Sequence, residues 1–176
     1  MIKNMLSLLV FWICSTTQAS QKPRLFKQSL IYELSNWTNV LPFDGSFISE
    51  GHLNERVKIY FNDPAAPTYK NPEITQFSIG SIIAKAFLKK GLEHPLQSKE
   101  ILFMRKMSPG YDPENADWAY AVYRKKTDGD FDIRLKGKLQ SCIDCHKAQS
   151  THDYIISDLR YREYRGIWGH LKYLFE

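Results

Sequence analysis

The segment Val57-Lys58-Ile59-Tyr60-Phe61 sets Val57, Ile59 and Phe61 on one side and Lys58 and Tyr60 on the other, the two-residue period of a half-buried strand. Residues 79–89 repeat the pattern, with Ile82, Ala84, Ala86 and Leu88 on one face and Ile83, Lys85 and Phe87 on the other. Two more strands are expected at 101–107 and 118–125, separated by the Pro109-Gly110 and Asp112-Pro113 turn region. Asp128-Gly129 is a compact turn signal leading into a further strand at 131–135. Upstream, 29–40 reads as a short helix carrying Leu30, Leu34 and Trp37 on one face, and 41–52 carries turn chemistry in Pro42 and Asp44-Gly45. Residues 62–71 form a short helix or turn before Pro72. Together these segments predict an α+β fold, a small antiparallel sheet with short helices. Eight prolines and nine glycines break the chain too often for a bundle of four long helices, and 176 residues are enough for one sizeable core.

The first nineteen residues have the pattern of an export signal. Lys3 gives a positive start, residues 5–13 are almost wholly apolar, and Thr17-Gln18-Ala19 offers a small-residue cleavage site. The apolar run is short for a bilayer span, and no stable membrane span is expected. Cys14 belongs to the signal, and residues 20–28 form a polar, basic arm.

Removal of the signal leaves two cysteines, both within Cys142-Ile143-Asp144-Cys145-His146. This is the C-x-x-C-H pattern of covalent haem attachment. Two thiols two residues apart add to the two vinyl groups of one haem, and the adjacent imidazole reaches the iron from the same short helix. A C-terminal helix bearing the motif, with one haem c held by Cys142, Cys145 and His146, is therefore expected. Three other readings of the motif stay open: thiol–disulfide exchange, a structural disulfide in an exported protein, and part of a zinc site lacking further ligands at convincing spacing.

Thirty residues follow His146 and none is methionine, so a downstream sulfur ligand is excluded within this chain. Met104 and Met107 are upstream alternatives, although methionines there more often fill a core. His52, His94, His152 and His170 read as surface or structural, His52 being the strongest of them as a ligand. With His146 alone the iron keeps an open face for a small molecule. Phe47, Phe61, Phe77 and Phe87 are candidates for an apolar lid over it, or for core. Lys85 sits between Ile83 and Phe87 on one strand face, where burial would lower its pKa and sharpen its amine as a nucleophile. The alternative is an edge lysine whose stem runs past apolar neighbours.

The sequence resembles the cytochrome P-460 family over about residues 37–156. The likeness rests on Gly51-His52, Ile59-Tyr60-Phe61-Asn62-Asp63, Gly80-Ser81-Ile82-Ile83-Ala84-Lys85, Gly110-Tyr111-Asp112-Pro113-Glu114, Asp117-Trp118, the haem motif and Asp153-Tyr154. Residues 29–176 then form one haem domain. The family includes hydroxylamine-oxidising enzymes and the cytochromes c-prime-beta that bind nitric oxide. The resemblance implies an antiparallel-sheet fold, usually dimeric, with high-spin iron ligated by the motif histidine. In the hydroxylamine-oxidising members it implies a lysine joined to the haem edge and an acid near the open iron face. Lys85 matches the lysine-bearing strand, with Lys106 a second candidate. The acid is expected shortly before the first haem cysteine, yet residues 133–141 hold Arg134, Lys136 and Lys138 and no acid, while Asp130 and Asp132 stand just upstream. A general acid or base must reach its substrate directly or through one water.

Two functional classes follow: a gas-binding or small redox haem protein, and an oxidoreductase passing electrons from hydroxylamine to a separate periplasmic carrier. Without Lys3, 23 basic residues face 19 acidic ones, a modest excess suited to an acidic redox partner. The basic residues are dispersed and no nucleic-acid reader motif accompanies them. The densest patch, Arg160, Arg162 and Arg165 interleaved with Tyr161 and Tyr164, reads first as a surface helix or dimer edge and second as a docking site for the carrier.

Overall fold

The computed structural model describes residues 26–39, 46–49, 55–71, 74–150 and 153–155. The export signal, the start of the basic arm, His52, His152, His170 and the arginine patch lie outside the described residues.

Seven strands form one antiparallel sheet. In chain order the elements are α1 (Ser29–Glu33), β1 (Thr38–Asn39), β2 (Phe47–Ser49), β3 (Glu55–Phe61), α2 (Ala66–Lys70), β4 (Ile82–Phe87), β5 (Glu100–Lys106), β6 (Trp118–Lys125), β7 (Phe131–Gly137) and α3 (Gln140–Lys147). Strands β3 to β7 pair consecutively, each with the next, while β1 and β2 share the outer edge of β3. Thr38 and Asn39 lie opposite Phe61 and Tyr60, and Phe47 lies opposite Val57.

This edge is where the expectation and the fold differ. The helix predicted over 29–40 ends by Asn36 in a single 3-10 turn, and Trp37 is extended. Thr38, a β-branched residue, joins β3 instead, because the unpaired N–H and C=O groups along β3 need partners. Leu30, Leu34 and Trp37 still share one packed face. Within the predicted turn region, residues 47–49 form strand β2 on the same edge.

The alternation in β3 and β4 produces two cores, one on each side of the sheet. On one side Ile82, Ala84 and Ala86 of β4 meet Ile101 and Phe103 of β5, Ala119, Ala121 and Tyr123 of β6, and Ile31 and Leu34 from α1 and its 3-10 extension. Four alanines keep this face low and let the N-terminal helix sit close. Phe103 packs against Tyr123 at 5.2 Å between ring centroids. On the other side Ile59, Phe61, Ile83, Met104, Trp118 and Tyr120 are covered by α2, Phe77, Ile143 of α3, Tyr154 and Ile155.

Asn62 links the end of β3 to the start of β4. Its side-chain oxygen accepts from the N–H of Ile82 at 2.8 Å and its amide donates to Gly80 O at 3.0 Å. Gly80 has φ +86°, a backbone conformation that a side chain disfavours. The Gly-Tyr-Asp-Pro-Glu segment builds the β5–β6 connection, in which Asp117 accepts from the Asp112 N–H at 2.7 Å and Pro113–Asn115 form one 3-10 turn.

Candidate functional site

Helix α3 carries both thiols and the imidazole, and the sheet holds the helix through Ile143, which is 2% exposed and packs in the core with Met104, Trp118 and Tyr120. Cys142 is half-buried against this core and Cys145 is exposed; the two are not joined. The five-residue motif thus lies on one eight-residue helix, the last among the described residues.

His146 is fixed from outside the helix. Its Nδ1 lies 2.7 Å from the carbonyl oxygen of Tyr154, so Nδ1–H donates there and Nε2 is the nitrogen left to ligate a metal. Burial holds the imidazole below its ordinary pKa; the Tyr154 hydrogen bond acts in the opposite sense, and the Lys85 charge lowers it further. The neutral ring, the form that ligates iron, is therefore favoured.

The acceptor is itself anchored. Asp153 and Tyr154 have φ of 51° and 66°, left-handed conformations costing about 1–2 kcal/mol per residue outside glycine. Asp153 Oδ2 accepts from the Phe77 N–H at 2.7 Å, and Oδ1 accepts from Lys106 Nζ at 2.5 Å and Trp118 Nε1 at 3.2 Å. Trp118 Nε1 also donates to the Asp153 carbonyl at 3.0 Å. The Tyr154 N–H donates to Gln149 O and its hydroxyl to Glu114 O, both at 3.0 Å. The Asp112–Glu114 segment therefore has a positional role beside α3, reinforced by Lys138, which reaches Asp112 at 3.6 Å and lies over the Tyr111 ring.

Lys85 projects from the same face as Ile83, between Ile59 on β3 and Leu102 on β5. Burial pulls its pKa down to about 8, opposed by the Cys145 thiol, so the amine lies within electrostatic reach of the motif. Its Nζ donates to Ser49 Oγ at 3.5 Å. In the haem-free chain, Lys85 is expected to react with an amine-directed reagent half-maximally near pH 8, where ordinary lysines require about pH 10.4. Mass-spectrometric mapping across pH checks this, and half-reaction at the ordinary lysine value would contradict it. The sign for stability follows: the unfolded chain binds the extra proton between these two values, so this group favours folding more as pH rises through that window.

Other sequence candidates separate. Lys106 is committed to Asp153 and lies over the Trp118 ring at 5.1 Å. Met104 fills the core beneath α3, whereas Met107 packs with the opposite core. His94 caps the 3-10 turn Pro95–Gln97. Phe61 stacks on Tyr69 at 4.2 Å, and Phe77 meets Trp118 edge-on at 5.8 Å; both are core. Phe87 is buried and Phe47 is partly buried against the site-side core. Asp130 accepts from Tyr32, and Asp132 pairs with Arg134 opposite Arg124. Both lie at the end of β7 remote from α3.

A charged cleft lined by Glu55, Lys89, Lys99, Glu100 and Arg124 opens at that same remote end, so concavity alone does not locate the chemistry. Among the described residues no group of three or more His, Cys, Asp and Glu is placed to hold a bare metal ion.

Two buried hydroxyls lack a partner among the described residues, Tyr60 in the core on the far side of the sheet and Tyr120 in the core beneath α3, and only the second stands beside the motif. The Tyr120 ring lies 5.8 Å from that of His146. Burial, then the nearby Cys142, raise its pKa, leaving a neutral donor. An unsatisfied buried hydroxyl costs about 1–3 kcal/mol. Two thiols, an oriented imidazole and an orphaned donor fit a polar-edged, vinyl-bearing macrocycle.

The fold and site define an α+β protein with a C-x-x-C-H helix docked on an antiparallel sheet. A model of the family described as Cytochrome P460 matches residues 37–157. The chain belongs to the cytochrome P-460 family, and this membership is consistent with haem binding. No curated protein matches it. No helix among the described residues is long and apolar enough to cross a membrane.

Proposed function

We propose that this chain is an exported mono-haem c-type cytochrome with a high-spin, open-faced iron that binds nitric oxide or a similar small ligand. Cys142 and Cys145 hold the haem and His146 ligates it. When bound, the haem supplies a metal that takes a small ligand and exchanges one electron. The chain's part is to fix the imidazole through Tyr154, to keep it neutral by burial, and to present an apolar wall beside Lys85.

One observation carries the choice of gas binding. Across the sheet Ile59, Lys85, Leu102, Val122 and Leu135 stand in one register row. The direct neighbours of Lys85 on both strands are thus apolar. An acid that shuttles protons has to stand within hydrogen-bond reach of the substrate; Asp130 and Asp132 lie at the far end of β7, remote from the motif helix.

A second reading has its own support. The lowered pKa of Lys85 and its proximity to Cys145 favour a nucleophilic amine at the haem edge, as in hydroxylamine-oxidising members of the family. In that reading the chain passes electrons to a separate carrier in the periplasm. Assembly as a homodimer accompanies either reading.

The test is the ultraviolet-visible spectrum of the mature protein, oxidised, dithionite-reduced and treated with nitric oxide. An ordinary high-spin c-type spectrum that changes on adding nitric oxide is the expected result. A red-shifted reduced spectrum that persists after denaturation, together with hydroxylamine-dependent reduction, would replace gas binding with the oxidoreductase reading.

A further inference from the structure

Three donors from three separate places in the chain converge on Asp153, immediately before the residue that accepts the His146 hydrogen bond. They are the Phe77 backbone N–H, the Lys106 ammonium at the end of β5 and the Trp118 indole at the start of β6. The Asp153 side chain is 3% exposed, and the lysine and indole also face each other. The motif helix does not contain the group that orients its own histidine. The carbonyl of Tyr154 does so, and Tyr154 follows Asp153 through two consecutive left-handed residues.

We propose that Asp153 is a positioning residue for the axial histidine: its buried contacts with Lys106, Trp118 and Phe77 set the Tyr154 carbonyl against His146 Nδ1, and so tune the iron–histidine bond. This rests on His146 being the haem ligand. A hydrogen bond from the distal ring nitrogen raises the basicity of the ligating one and fixes the ring's orientation. Hydrogen bonds weaken steeply with misalignment. The carboxylate has two oxygens facing donors, whereas an asparagine presents one oxygen and one NH2. Asp153→Asn must therefore release either the Phe77 side or the Lys106 and Trp118 side, and the following carbonyl moves with it. Lys106→Met leaves the carboxylate intact but removes its one cation partner among the described residues.

The experiment uses the full chain matured with c-type haem, as wild type, Asp153→Asn and Lys106→Met. Haem retained after denaturation is measured first, then the ferrous iron–histidine stretching band by resonance Raman, then the midpoint potential. Both variants are expected to retain covalent haem, and the band is expected to fall in frequency in both. The two substitutions change local charge in opposite senses, so a purely electrostatic role would move the potential in opposite directions and leave the band in place. That result, or a wild-type band in either folded variant, overturns the proposal. Trp118→Phe removes one donor without changing charge, and a lowered band is expected there too; it decides the matter if the charge variants do not fold. Wild-type protein with no iron–histidine band would instead overturn the five-coordinate, histidine-ligated iron of the proposed function, and His146→Ala would then separate loss of the ligand from a sixth ligand, by losing or keeping the wild-type haem spectrum.

Discussion

Replacing both Cys142 and Cys145 by alanine is expected to reduce the haem retained after acidified organic extraction to background, while the sheet still folds. The two thiols add little to the core: Cys145 is exposed, and Cys142 is only half-buried at its margin. Their removal therefore acts on attachment more than on packing. Any haem that still enters would be held by His146 and by contacts alone, and would extract. Each single variant is expected to keep one thioether. The unreacted vinyl then extends the conjugation of the ring and shifts the reduced absorption to longer wavelength. Extraction followed by the pyridine haemochrome spectrum separates the three outcomes. Full retention of haem in the double variant would show that neither thiol carries it.

Ile143→Ala is expected to cost about 2–5 kcal/mol, the range for truncating a buried isoleucine. Ile143 is the buried residue of α3 and packs in the core that contains Met104, Trp118 and Tyr120. The loss is large beside the roughly 5–15 kcal/mol that holds an ordinary domain together. Urea unfolding followed by tryptophan fluorescence should show a lower midpoint with an unchanged slope, the signature of lost stability in the same fold. Bound haem would offset part of the loss, because a ligand that binds the folded state selectively stabilises it. An unchanged midpoint would mean that α3 docks through other contacts.

Much of this architecture is legible in the chain because strand alternation is a local property. Val57, Ile59 and Phe61, and then Ile83, Lys85 and Phe87, announce their common face without knowledge of any partner. The C-x-x-C-H motif is equally local, since two thiols and an imidazole within one helical stretch already define their mutual spacing. What local pattern misreads is the edge of β3. Trp37 completes a helical periodicity with Leu30 and Leu34 on paper, but the open hydrogen-bonding groups of a distant strand draw Thr38 and Asn39 into the sheet.

The site's electrostatics are less legible still. Lys106 and Lys85 look alike in sequence, each a lysine in a strand. One is neutralised by Asp153, 47 positions away, and the other is enclosed among apolar neighbours that pull its pKa down to about 8. Asp153-Tyr154 is visible as a motif, yet nothing in its composition says that one residue gathers three donors and the next orients a histidine.

The sequence by itself determined the α+β pattern, the two faces of the strands and the close spacing of Cys142, Cys145 and His146, because periodicity and motif spacing act over a few residues. Only the tertiary structure decided which nitrogen of His146 is left for a metal, which lysine is paired and where Asp130 and Asp132 fall. Those depend on contacts between residues far apart in the chain, and they form only when the sheet brings its strands into register.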